Sequence, residues 1–281
     1  MSSTALAVSD ASSRAAGSRA IQLHRPQPVR DVPYVPSDEK VVEAMLELAG
    51  VNEKDVVYDL GCGDGRIVLA AARRGARGVG VDIDLQRIHE AQDNARRAGL
   101  TARVSFLRAS FFDVDLRDAT VVTLYLLPGI NIRLRPKLLF ELRPGARVIS
   151  NNFDMKEWSA DEQLVIYHRT LYKWIIPAWV QGTWSCYISR SNGRRRHMVL
   201  ELQRRFQRVS GSAQLNGQRV YLVEGRIEAD RLSFALWHPQ HLLPAIRFRC
   251  TVEGDQLRGT CHADSPGADA TTWAWGGVRR S

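Results

Sequence analysis

The sequence predicts an α/β fold built on a doubly wound parallel sheet, followed by a smaller all-β region of up-and-down, barrel-like strands. Three observations carry this. Apolar runs of strand length alternate with helical periodicity from Val41 to Ser150, a glycine-rich turn joins one such strand to the helix after it, and beyond Trp179 the helical period vanishes.

The segment from Met1 to about Arg30 is rich in Ser, Ala and Arg with little apolar periodicity, so residues 1–31 are expected to form a disordered tail. Order should begin at Val32-Pro33-Tyr34-Val35-Pro36, a stiff extended stretch. Ser37 is the expected N-cap of a helix with Asp38 and Glu39 in its first turn, Val41, Val42, Met45, Leu46 and Ala49 on one face, and Gly50 as its stop. Strands are then expected at Val56-Val57-Tyr58, Gly78 to Val81, Val104 to Leu107, Thr120 to Leu127 and Arg147 to Ser150. Helices fall between them at Arg66 to Arg74, Leu85 to Ala98 and Asn131 to Leu142. A first domain over residues 32–178 and a second over 179–281 follow. The second shows eight short alternating runs: Thr183 to Ile188, His197 to Gln203, Ser210 to Leu215, Val220 to Glu228, Leu232 to Trp237, Ile246 to Val252, Gln256 to Cys261 and Thr272 to Trp275. Asn192-Gly193, Asn216-Gly217 and Glu253-Gly254-Asp255 supply hairpin turns, so an up-and-down barrel or a small sandwich is expected. Trp273 and Trp275 read as one face of its core.

An apolar fraction of 44% is enough for proper cores. No run approaches the roughly 20 apolar residues of a membrane helix, and no apolar signal segment opens the chain, so a cytoplasmic address is the default. Cys62, Cys186, Cys250 and Cys261 have no CxxC spacing and read as small buried hydrophobes. His238 and His241 flank Pro239-Gln240 without a third ligand nearby, and no metal is expected. The net charge of +9, carried mainly by arginine, favours acidic partners, although a GC-rich genome also produces such a composition.

The turn Asp59-Leu60-Gly61-Cys62-Gly63-Asp64-Gly65 ends a strand in an acid and places three glycines before a helix, where backbone amides face a bound ligand. A dinucleotide fingerprint, GxGxxG, would need glycine where Arg66 stands. Asp59 and Asp64 would also lie where a pyrophosphate must sit, whereas a ligand carrying an ammonium and a sulfonium tolerates them. About 20 residues on, Gly78-Val79-Gly80-Val81-Asp82 ends a second strand in a carboxylate placed to accept both hydroxyls of a ribose; Asp82 is preferred to Asp84 because it directly follows the apolar run. Ile83 follows it in the same site. After the third strand, Ser110 can hydrogen-bond an adenine ring and Phe111 can pack on it, unless Phe111 and Phe112 simply belong to the core.

The span Pro33 to Trp158 resembles the class I methyltransferases that include archaeal protein lysine methyltransferases and the mitochondrial enzymes acting on the ATP synthase c subunit and the adenine nucleotide carrier. The likeness lies in Pro33-Tyr34-Val35-Pro36-Ser37, in Val57 to Arg66, in Thr123-Leu124-Tyr125-Leu126-Leu127-Pro128 and in Arg147 to Phe153. Leu171 to Pro177 is similar to the family's closing strand. The resemblance implies a Rossmann-like seven-stranded methyltransferase sheet, S-adenosylmethionine as cofactor, and a lysine amine as acceptor. It implies that Tyr34 and Tyr125 stand near the methyl donor, and that Leu127 and Pro128 line the acceptor channel with them. Cofactor contacts are then expected from Asp59, Gly61, Cys62, Gly63 and Gly65 in the loop, from Asp82 and Ile83, from Ser110 and Phe111, and from the two tyrosines. Two places depart from the family's pattern: Ala109-Ser110 replaces Gly-Asp, and Asn151-Asn152 replaces Ser-His.

Two other acceptors stay open. A small-molecule methyltransferase would use the β region as a lid or pocket. An RNA methyltransferase is suggested by the basic charge and Arg194-Arg195-Arg196, although that triplet reads more simply as a solvated hairpin loop. A binding module that has lost catalysis is disfavoured by Asp59, Asp82 and the three glycines. The oligomeric state is not legible.

Overall fold

The computed structural model describes residues 35–189, 194–215, 217–237, 246–263 and 272–280. The expected tail, Tyr34, the Asn192-Gly193 turn, and His238 and His241 lie outside them.

Helix α1 (Glu39–Ala49) opens the described chain. Its N-cap is Asp38, not Ser37: the Asp38 carboxylate accepts the Lys40 N–H from an extended backbone, while the Ser37 carbonyl is taken by Arg66. Gly50, at φ 65°, closes the helix as expected. Strands β1 (Val56–Leu60), β2 (Arg77–Asp82) and β3 (Val104–Arg108) alternate with α2 (Arg66–Arg73) and α3 (Leu85–Arg97). Then come β4 (Val121–Leu124), α4 (Pro128–Glu141), β5 (Arg147–Asn151), β6 (Glu162–Ile166) and β7 (Arg169–Ile175). The seven strands form one sheet in the order β3-β2-β1-β4-β5-β7-β6, with β7 antiparallel to both neighbours and the other pairs parallel.

Strand β4 is shorter than the apolar run Thr120 to Leu127 suggests. Pro128 takes the first turn of α4, where its missing N–H needs no partner, so the chain leaves the sheet at Tyr125 and α4 starts three residues before the expected Asn131. One sheet face packs Val57, Val121 and Ile149 against α1 and α2, through Met45, Leu46 and Ile67. The other packs Val122, Leu124 and Val148 against Leu134 and Leu138 of α4.

The rest of the chain closes into an eight-stranded antiparallel barrel: β8 (Gly182–Ser189), β9 (Arg195–Arg205), β10 (Arg208–Leu215), β11 (Gln218–Glu228), β12 (Arg231–Trp237), β13 (Ile246–Glu253), β14 (Gln256–Ala263) and β15 (Thr272–Arg279). Each strand pairs with its sequence neighbours, and β15 returns to β8, which is the up-and-down topology. Closure leaves no edge among the eight. The interior is side chain: Phe234 stacks on Phe248 at 4.8 Å, Trp275 meets both edge-on, and Trp184, Cys186, Cys250 and Cys261 are buried with them. Trp273 packs against this cluster from a partly buried position. Arg195 and Arg196 are strand residues of β9, with Arg195 over the Tyr187 ring at 4.6 Å, so of the triplet only Arg194 stands outside the strand as an exposed residue.

The barrel meets the sheet at one end. Phe206, in the β9–β10 turn, stacks on Trp158 at 5.8 Å and lies beneath Arg135 of α4. Gln207 donates to the Asp161 carboxylate at 2.8 Å, and Ala178 N–H to Ala229 O at 2.7 Å. Asp161 precedes β6 and Ala178 follows β7. These contacts therefore gather where the parallel strands begin.

Candidate functional site

At the other end, the carboxyl ends of β1, β2 and β4 open into a pocket, the place where doubly wound sheets bind ligands. Its floor is the loop after β1. Gly61, Gly63 and Gly65 all have positive φ, at 84°, 52° and 79°, a conformation that L side chains rarely adopt. Gly61 and Cys62 donate to the Val81 carbonyl, which ties the loop to β2. A Cβ on Gly65 would lie 2.9 Å from the Phe106 ring and 3.0 Å from Ala91, so the third glycine lets α2, α3 and β3 close together.

Three acids converge here. Asp59 is 3% exposed, and burial first, then its Asp82 and Asp64 neighbours, push its carboxyl up to about 7 despite a 2.8 Å hydrogen bond from Thr123. No cationic side chain among the described residues pairs with it. Asp82 accepts from Gly63 N–H on one oxygen and from Asp84 N–H on the other, both at 2.9 Å. Each oxygen keeps a lone pair for a diol. Asp84 also lines the pocket, but one of its oxygens caps α3 through Gln86 N–H. Asp64 is bound by Arg66, whose guanidinium also reaches the Ser37 carbonyl at 2.5 Å and so fastens the Val35-Pro36-Ser37 segment over the loop.

Ser110 and Phe111 form the wall past β3, where Ser110 Oγ accepts Phe112 N–H at 3.3 Å and keeps its own hydrogen to donate. Phe111 is 8% exposed, packed in the core cluster, and also part of the pocket lining. Ile83 lines the pocket beside Asp82. Tyr125 lines the far side, with Phe153 stacked on it at 6.3 Å and Arg169 over its ring and donating to its hydroxyl. Leu126 lies beside it in the wall, whereas Leu127 and Pro128 start α4 outside the lining, with Leu127 43% exposed. Gly63 and Gly65 shape the loop from behind the lining.

Sequence reasoning missed Thr123, Arg66 and Phe153. Thr123 could have been found as the polar residue in an otherwise apolar strand that neighbours Asp59; Arg66 and Phe153 carried no comparable signal. Asn151 is fully buried at the end of β5, its amide 3.4 Å from Ser37 Oγ.

A buried carboxylate awaiting a cation, a carboxylate with two free lone pairs, a glycine loop open to close approach and an apolar wall ending in Phe111 suit a cationic adenosine ligand. They suit a pyrophosphate poorly, because three acids would face it. Residues 59–162 match the model of the ANTKMT methyltransferase domain. A protein-lysine N-methyltransferase of Saccharolobus islandicus is 46% identical over 154 residues, covering 53% of this chain and 96% of that protein. The adenine nucleotide translocase lysine N-methyltransferase of Mus musculus is 40% identical over 45% of this chain, which spans only 56% of the mouse protein. A structure of an RNA methyltransferase from Salinibacter ruber in complex with S-adenosyl-L-homocysteine shares 50% identity, with a TM-score of 0.51, over 52% of this chain and 96% of that one. This chain belongs to the class I S-adenosylmethionine-dependent methyltransferases, in the group that contains these lysine methyltransferases.

Proposed function

We propose that the protein N-methylates a lysine side chain of another protein. The observation that carries the acceptor is the 46% identity along nearly the whole length of the Saccharolobus protein-lysine N-methyltransferase. Residues 32–178 would be the methyltransferase domain and 179–281 an all-β, barrel-like domain packed against it. Among the described residues no helix is long and apolar enough to cross a membrane, and a cytoplasmic site of action fits that.

When bound, S-adenosylmethionine supplies a methyl carbon made electrophilic by its sulfonium. Asp59 would hold the ammonium of its amino-acid end, and Asp82 the ribose hydroxyls. Ser110 and Phe111 would take the adenine, with Gly61, Cys62 and Ile83 in contact and Gly63 and Gly65 holding the loop open. Tyr125 would frame the methyl end. Transfer between aligned reactants is chiefly a matter of proximity, and this chain needs to provide only position and an acceptor amine free of its proton. Arg169, held over the Tyr125 ring that Phe153 backs, favours the neutral amine at this aromatic wall, since a neighbouring cation disfavours a second one. Leu127 and Pro128 would extend that wall outward.

The barrel does not favour a lid over a small molecule. Its contacts with the sheet gather at the end opposite the loop, and its interior holds packed aromatics. An RNA acceptor is the second reading, favoured by the description of the Salinibacter relative. Incubating the protein with methyl-labelled cofactor and host lysate should place label in protein and release methyl-lysine on hydrolysis. Label confined to RNA would select the second reading, and label confined to small molecules would overturn both.

A further inference from the structure

Residues 179–281 contain fifteen arginines, no lysine and eight acidic residues, a surplus of +7 out of the chain's +9. The strand register arranges part of this surplus. Arg205 on β9 pairs directly with Arg208 on β10, and Arg208 with Arg226 on β11. The row continues through Ser233 on β12 to Arg249 on β13 and Thr260 on β14. Beside it runs a second row of Glu228, Arg231, Thr251 and Arg258. All six arginines are exposed on the outer wall. Arg226 pairs with Asp161, Arg258 leans on Gln256, and Arg205 adds a smaller pull to the Arg135 hydrogen bond that holds the Glu157 carboxyl below its usual range. Arg208, Arg231 and Arg249 have no ion pair among the described residues.

Like charges directly opposite across strands oppose pairing, so three consecutive arginines form a row that the barrel does not need in order to fold. With strands about 4.8 Å apart, Arg205 to Arg249 spans roughly 19 Å. The guanidinium fork matches phosphate oxygens bidentately.

We propose that this double row is a docking surface for the phosphate backbone of single-stranded RNA, distinct from the methyl-transfer pocket. A regular ladder matches a polymer with one anion per repeat better than the irregular carboxylates of an acidic protein. Arg226, Arg231, Arg249 and Arg258 border one shallow depression on the curved barrel wall, which a flexible single strand can follow more closely than a stiff duplex. Ser233, Thr251 and Thr260 alternate with the arginines and offer hydroxyls to sugar and phosphate. No exposed aromatic residue stands in either row, so the surface holds RNA without reading its sequence.

Fluorescence anisotropy of the full chain with a 20-nucleotide RNA, repeated across a salt series, tests this. The wild type should bind, and the triple variant R208Q/R231Q/R249Q should bind on the order of 100-fold more weakly at 0.1 M salt, with its salt slope smaller by about 2. Calorimetry with S-adenosylmethionine should give the same affinity for both, which confirms that the variant is folded. The proposal is overturned if the wild type does not bind RNA, if the variant binds equally well, or if polyglutamate or anionic phosphatidylglycerol vesicles compete as well as RNA does. The result does not depend on which molecule accepts the methyl group, because binding is read without turnover.

Discussion

The pocket and the barrel wall both gather like charges, and they differ in what surrounds those charges. Asp59, Asp64 and Asp82 converge at the carboxyl ends of buried strands, and there Asp59 is pushed up to about 7. Arg205, Arg208 and Arg226 stand as close in register, but on an exposed surface where water screens them. Burial turns the acidic cluster into a stored demand for a cation. Exposure leaves the basic cluster inexpensive in the free protein, so its effect shows only against a polyanion.

The largest expected effect comes from the pocket. Asp82→Ala removes an acceptor for two ribose hydroxyls as well as the anchor for Gly63 and Asp84 N–H, and should weaken cofactor binding by about 2 to 4 kcal/mol in calorimetry. Unchanged affinity would shift the ribose to Asp84. Asp59→Asn should weaken binding by about 2 kcal/mol and yet raise the melting temperature of the cofactor-free protein at pH 8, since it removes an uncompensated buried charge while an amide oxygen still accepts from Thr123. Loss of binding with a lower melting temperature would mean that Asp59 is structural.

Next is a pH effect. The Asp59 carboxyl lies at about 7 in the folded protein against an ordinary 3.8, so the folded state holds a proton that the unfolded chain has released. Stability of the cofactor-free protein should therefore fall as pH rises from about 4 to about 7, and the slope from this group should disappear in Asp59→Asn. Affinity for the cofactor should move the other way, improving about tenfold from pH 6 to pH 8 as the carboxylate ionises to meet the ammonium. A flat affinity profile would break the contrast between the two clusters. The smallest effect is on the wall: R208T/R249T should change stability by no more than about 0.5 kcal/mol, and in the stabilising direction. A loss beyond about 1 kcal/mol would show that these arginines hold the barrel together.

What could be read in the sequence follows the same division. The loop glycines, Asp59 and Asp82 are local signals, each within a few residues of a strand end. Barrel strands such as β8, β9 and β13 alternate buried and more open positions, and the turns between runs marked the strands, such as β12, that alternate less cleanly. Strand β6 was missed because Glu162–Ile166 is an edge strand whose side chains face water, with no buried set to set a period. The start of α4 was hidden by an apolar run that continues past the end of β4, and Pro128 was the signal that could have placed it. The arginine rows could not be read at all. Positions 205, 208, 226 and 249 become neighbours only through pairing register, which composition and spacing do not contain.

The Trp158–Phe206 stack has a consequence for how the molecule comes apart. Trp158 is fully buried in the same apolar cluster as Leu124, Leu134 and Trp174, and Phe206 packs onto that cluster from the barrel. A chain ended at Ala178 would bare that indole to solvent and leave Asp161 without Gln207 and Arg226. The two halves are therefore thermodynamic dependants. They should melt in one calorimetric transition, and the catalytic half made alone should be prone to self-association.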